Sequence, residues 1–83
     1  MTRQHEFQTT TDFDLGAVYM VLTGRQPAVF RQPGDDLVSI EMVYDDTTRD
    51  IMLAYAGGAL MVNVKRFAAC RAWIYRQAKA VKS

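Results

Sequence analysis

The sequence predicts a single α+β domain, with a short antiparallel sheet packed against three helices in the order β-α-β-β-α-α. Three observations predict it. Leu37–Tyr44 alternates side chains with the two-residue period of a strand. Three other stretches carry helix caps, glycine stops or apolar residues at helical spacing. The chain has 83 residues, 49% of them hydrophobic, which is enough for one core and too little for two. Net stability on the order of 4–12 kcal/mol is expected at this size, and self-association is an ordinary way to add buried area.

Glu6–Thr10, with Phe7 among polar residues, reads as a short N-terminal strand. Residues 1–5 and 82–83 are expected to fray. Thr11 is the expected N-cap of the first helix, its hydroxyl accepting from a first-turn amide, while Asp12 and Asp14 place negative charge at the positive end of the helix dipole. Leu15, Val18, Tyr19 and Leu22 fall at i, i+3, i+4 and i+7 and define its apolar face. Gly24 closes the helix as a left-handed C-cap, giving a span of about Asp12 to Thr23.

Ala28–Arg31 reads as a strand, and Pro33-Gly34 as the turn after it, since Pro presets its own φ and Gly accepts a positive one. In Leu37–Tyr44, Val38, Ile40, Met42 and Tyr44 share the expected core face, and Leu37, Ser39, Glu41 and Val43 share the other. The two strands should form an antiparallel hairpin. Asp45-Asp46-Thr47-Thr48 offers several N-caps for a second helix through about Ala56, which Gly57-Gly58 stops. Ala59–Val62 connects to a final helix from about Val64 to Val81, capped by Asn63. At 100° per residue, Phe67, Cys70, Ile74, Ala78 and Val81 form its buried seam. Lys65, Arg76 and Lys79 cluster on the far side. Arg66 and Trp73 share one flank, and Arg71, Tyr75 and Lys82 the other.

Charge is sorted along the chain. Residues 1–62 hold nine acids against four arginines, a net of −5, whereas residues 63–83 hold six cations and no acid. Such a split suits a basic helix docked on an acidic body, within or between chains, or a surface for an anionic partner.

Catalytic chemistry is thinly provided for. General acid–base and nucleophilic catalysis use a His, Cys or Ser with an orienting partner. His5 stands alone near the terminus, Ser39 has no His near it in sequence, and Cys70 falls on the buried seam, where a thiol acts as a small hydrophobe. One cysteine allows no intrachain disulfide and no cysteine-based metal site. Asp35-Asp36 and Asp45-Asp46 with Asp50 are carboxylate clusters able to meet Mg²⁺ or Ca²⁺. Their spacing matches no calcium loop, and a charged turn and a helix cap account for them. No metal and no cofactor is expected. Neither a signal peptide nor a run of membrane-spanning length is present, so a soluble, cytoplasmic protein is expected.

The order of these motifs resembles a small domain-of-unknown-function family scattered through phage and bacterial genomes. The resemblance covers roughly Thr10 to Arg76. It rests on Thr10-Thr11-Asp12 at the start of the first helix, the small pair Gly16-Ala17, Gly24, and the strand end Met42-Val43-Tyr44-Asp45-Asp46. Its most specific stretch is Ala54-Tyr55 through Gly58, then Leu60, Val62, Asn63, Lys65, Arg66 and Phe67, closed by Arg71 to Tyr75. The chain departs from the pattern at Met61, where a polar residue would be expected. The resemblance implies a compact strand–helix–hairpin–helix–helix module, often phage-associated, and transfers no activity.

The expected function is non-enzymatic binding by a small, homo-oligomeric protein. Lys65, Arg66, Arg71, Trp73, Tyr75, Arg76 and Lys79 are its candidate working surface. A protein partner, either the chain itself or a host factor such as one of a defence system, stands first. Trp73 and Tyr75, off the buried seam and joined by Tyr55, Leu60 and Met61, would form a patch that such a partner covers. Nucleic acid or a signalling nucleotide is the alternative, with cations for phosphates and aromatics for bases. A sequence pI near 7.9 is low for that role. A divalent-metal enzyme built on the acidic loops stands third.

Overall fold

In the computed structural model of the chain, residues 6–34 and 36–82 are described. His5, Asp35 and the expected fraying of residues 1–5 and 83 lie outside the described residues. The elements are β1 (Glu6–Thr10), α1 (Phe13–Thr23), β2 (Ala28–Arg31), β3 (Val38–Tyr44), α2 (Asp46–Ala56) and α3 (Val64–Lys82). The order is the one the sequence predicts, β-α-β-β-α-α.

β3 carries the alternation and takes the centre of the sheet, whose order is β1-β3-β2 with both pairings antiparallel. Val38, Ile40 and Met42 point into the core, the last two fully buried, and Tyr44 is half-buried at the strand end. Leu37, expected in the strand, precedes it and is exposed. The turn glycine, Gly34, has φ of 79°, as a type II turn after Pro33 requires.

The cap of α1 falls one residue later than expected. Asp12, not Thr11, is the N-cap: its Oδ1 accepts from the Asp14 N–H at 3.0 Å and the Leu15 N–H at 3.2 Å. A carboxylate at the positive end of the helix dipole gains more than a hydroxyl does. The Thr10 hydroxyl accepts from the Asp12 N–H and so sets the cap in place. Gly24 ends the helix at φ of 71°. Leu15, Gly16, Ala17, Val18 and Tyr19 are all buried, so this part of α1 is enclosed on every side instead of along one face. Leu22, expected on the core face, lies past the enclosed stretch and is 43% exposed.

α1 packs against β3, α2 and α3 at once, and α3 packs on α1 and β2. The core is Leu15, Ala17, Tyr19, Ile40, Met42 and Ile74. Val43 lies two residues beyond the last β2–β3 pair, Ala28 with Glu41. Side chains from two helices meet its backbone there. Its N–H donates to Tyr19 Oη at 3.2 Å, and its carbonyl accepts from the fully buried Thr48 hydroxyl at 2.6 Å. Neither buried group is left without a partner, which would otherwise be costly.

Asp45 is the N-cap of α2, accepting from the Thr48 N–H and, at 2.9 Å, from Arg25. The Thr48 amide first, and Arg25 second, hold its carboxyl down at about 2, against an ordinary 3.8. A carboxyl depressed in the folded state binds fewer protons there than in the unfolded chain. Its stabilising contribution is therefore complete above pH 3.8 and lost as pH falls through about 2. Stability measured by denaturant titration should decline over that window, and Asp45→Asn should flatten the decline. Equal slopes in the two proteins would contradict this account of the cap.

Candidate functional site

α3 is preceded by Asn63, whose Oδ1 accepts from the Arg66 N–H. The helix carries all six of the C-terminal cations and no acid. Lys82, expected to fray, is its last residue. Ile74 and Ala78 are buried, and Phe67, Cys70 and Val81 are half-buried, as the seam requires. The buried arc is wider than that seam. Trp73 and Gln77 are half-buried as well, and Trp73 packs against the core. The expectation of an uncovered Trp73 is thus corrected: a helix wedged against both α1 and β2 buries a broader stripe than one neighbour would demand. Tyr55, expected in the same exposed patch, is half-buried against the core, while Met61 is 92% exposed.

Tyr55 has a separate task. Its hydroxyl donates to Asp12 Oδ2 at 2.7 Å, joining α2 to the N-cap of α1. The bond to that carboxylate, with burial second, pushes the phenol up to about 12.

Between the first turn of α1 and α3 lies a group of four side chains. Arg71 Nε donates to Asp14 Oδ1 at 2.6 Å, and Arg71 Nη2 donates to Tyr75 Oη at 3.2 Å. The guanidinium sits 4.8 Å from the centre of the Tyr75 ring. Phe13 meets the same ring edge-on, with centroids 4.8 Å apart at 75°. Hydrogen bonding to Asp14, then the charge interaction with Tyr75, raises Arg71 above its ordinary value. Both ends of the ion pair are near half exposure, so it fixes geometry more than it stabilises the fold. One contact between the acidic body and the basic helix is therefore made within the chain.

Three shallow, open clefts adjoin at Tyr75. One of about 350 Å³ runs over Thr11, Asp12 and Phe13 to Arg71. One of about 480 Å³ follows α3 past Val64, Ala68 and Ala72. The third, about 350 Å³, lies over Phe13 and Ala78 with Lys79 and Lys82 at its rim.

The other candidate residues occupy the outer arc of α3. Lys65, Arg76 and Lys79 point away from the core over a floor of exposed alanines, Ala68, Ala69 and Ala72. Arg66 is exposed on the flank beyond Trp73. Lys65, Arg66 and Arg76 make no ion pair among the described residues. The structure thus leaves Lys65, Arg76 and Lys79 exposed, with Lys79 sharing a cleft with Tyr75 and Arg71 sharing two others with it. It sets Arg66 apart and turns Trp73 inward. Sequence reasoning missed Phe13 and Asp14 as neighbours of this surface, because their contacts reach across about sixty residues and no local pattern records that.

Among the described residues, no three His, Cys, Asp or Glu side chains converge to hold a metal ion. No helix there is long and apolar enough to cross a membrane. Comparison with protein-family models, with curated proteins and with solved structures gave no match.

Proposed function

We propose that the chain is a non-enzymatic interaction protein that binds an acidic protein surface through the outer face of α3. One observation carries the reading: Lys65, Arg76 and Lys79 stand over exposed alanines on the arc opposite the core, beside the partly exposed Tyr75. Small side chains let a partner backbone approach, and the cations around them favour carboxylates. Arg71 supports this surface from its edge, held in place by Asp14. A phage setting, in line with the resemblance drawn from the sequence, would make the partner a host protein.

Binding of nucleic acid or a nucleotide by the same cations is the second reading. Base stacking needs free aromatic faces. Trp73 packs inward, and the Tyr75 ring is already met by Arg71 and Phe13. These contacts favour the protein partner.

Fluorescence anisotropy with two labelled probes of equal charge, a helical Glu/Leu peptide and an oligothymidylate, separates the readings. The peptide should bind, and Lys65→Glu with Arg76→Glu should weaken it by at least about tenfold, the loss of one good charged contact or more. Saturable binding of the oligonucleotide alone, falling steeply with salt, would hand the site to nucleic acid. Binding of neither probe would end the proposal. Trp73→Ala is a poor probe of this surface, since it would also disturb the core.

A further inference from the structure

The structure carries a second exposed helix face, and it complements the first. On α2, Asp46, Asp50 and Leu53 fall at i, i+4 and i+7 and form one stripe. The two carboxylate side chains are 93% and 72% exposed. Leu53 is 66% exposed. Thr48 and Ile51, on the opposite side, are buried. Arg49 flanks the stripe, 3.6 Å from Asp46 and 3.5 Å from Asp50, and offsets one of the two charges, so the stripe stays net acidic.

α3 presents the converse pattern. Val64, 78% exposed, leads along Ala68 and Ala72 to Tyr75, 46% exposed. Lys65 and Arg76 border this groove, about 16 Å apart along the helix axis. A leucine would seat on the alanine floor, and the two carboxylates, about 6 Å apart and both on one side of it, would face the cation bordering that end of the groove. An amphipathic helix laid in a groove is read out in this way, at i, i+4 and i+7.

We propose that the occupant of the α3 groove is α2 of a second copy of this chain. This rests on the reading of α3 as a surface for acidic protein and names its partner. The like arrangement, α3 on α3, would set cations against cations with no acid anywhere on either helix. The unlike arrangement pairs the charges that the sequence sorted into two halves. A two-fold axis would make the contact twice, α2 on α3 and α3 on α2, and close the assembly as a dimer. A single such contact per copy would lie at the weak end of stable interfaces.

Sedimentation velocity from low to high micromolar protein tests it. The wild-type chain should associate. Asp46→Lys with Asp50→Lys should give monomer, as should Lys65→Asp with Arg76→Asp. All four changes in one chain, which restore the charge pairing and the original net charge, should associate again. Leu53→Ala, neutral to charge and to helix propensity, should weaken association at least about tenfold by removing the seated side chain. Circular dichroism on each variant confirms that the helices remain. A wild-type chain that stays monomeric would overturn the inference, and so would association indifferent to the charge reversals or to Leu53→Ala. The acidic peptide probe, titrated onto a monomeric Leu53→Ala chain, keeps the two readings apart. If it binds while the wild type does not self-associate, the α3 surface stands and the second copy is excluded.

Discussion

Ile74→Ala is expected to cost about 2–5 kcal/mol of folding stability, the range for emptying a fully packed aliphatic site. Ile74 is fully buried and belongs to the core with Leu15, Ala17, Tyr19, Ile40 and Met42. It is the one residue of α3 in that set, and Phe67, Cys70 and Trp73 of the same helix pack against the core around it. A domain of this size has on the order of 4–12 kcal/mol in all, so the variant should lose a large share of it. Urea titration followed by circular dichroism reads the loss directly. Met61→Ala, at a position 92% exposed, should stay within about 0.5 kcal/mol of wild type. A loss at Ile74 as small as at Met61 would mean that α3 is not held through this contact.

The fold was legible because each element announces itself locally. β3 alternates, Gly24 and Gly57-Gly58 stop helices, and Asn63 caps one. Where the sequence reading slipped, distant neighbours decided the outcome. Thr11 and Asp12 are both fair caps by residue type, and the carboxylate prevailed because Thr10 and Tyr55 also bind on that side. Leu22 has the right spacing for the core, but the elements packed around α1 enclose only Leu15 through Tyr19. The candidate site was half legible. The cations of α3 are plain in the composition, and Lys65, Arg76 and Lys79, which the wheel put on the far side, are exposed. Hydropathy could not show that Trp73 would be drawn in by β2 and α1, nor that Asp14, 57 residues from Arg71, would take that guanidinium. Pairings over such separations depend on how helices cross, which no local spacing encodes.

The crossing itself depends on Gly16, and Gly16→Val is expected to be among the most damaging single changes in the chain. A Cβ at this position would stand 2.9 Å from Ile40 Cδ1, 3.0 Å from Ile74 Cδ1 and 3.3 Å from Ile40 Cγ2. The glycine thus lets α1 lie close against side chains of both β3 and α3. Alanine must displace the Cδ1 ends of two buried isoleucines and crowd Ile40 Cγ2, while it recovers the roughly 1 kcal/mol that glycine costs inside a helix. Gly16→Ala should accordingly fall within about 1 kcal/mol of wild type, the overpacking and the helix gain offsetting each other. Valine adds two more methyl groups to a site that already lacks room for one, and its branched Cβ leaves few rotamers to escape into. A loss of about 3 kcal/mol, the upper part of the overpacking range, is expected for it. The contrast between the two variants, measured by the same urea titration, is the test. If valine is tolerated as well as alanine, then α1 can move away from the isoleucines at little cost. The close crossing would not then be what selects a glycine there. If both variants lose about 3 kcal/mol, the isoleucine side chains cannot yield, and the core is more rigid than their terminal position implies.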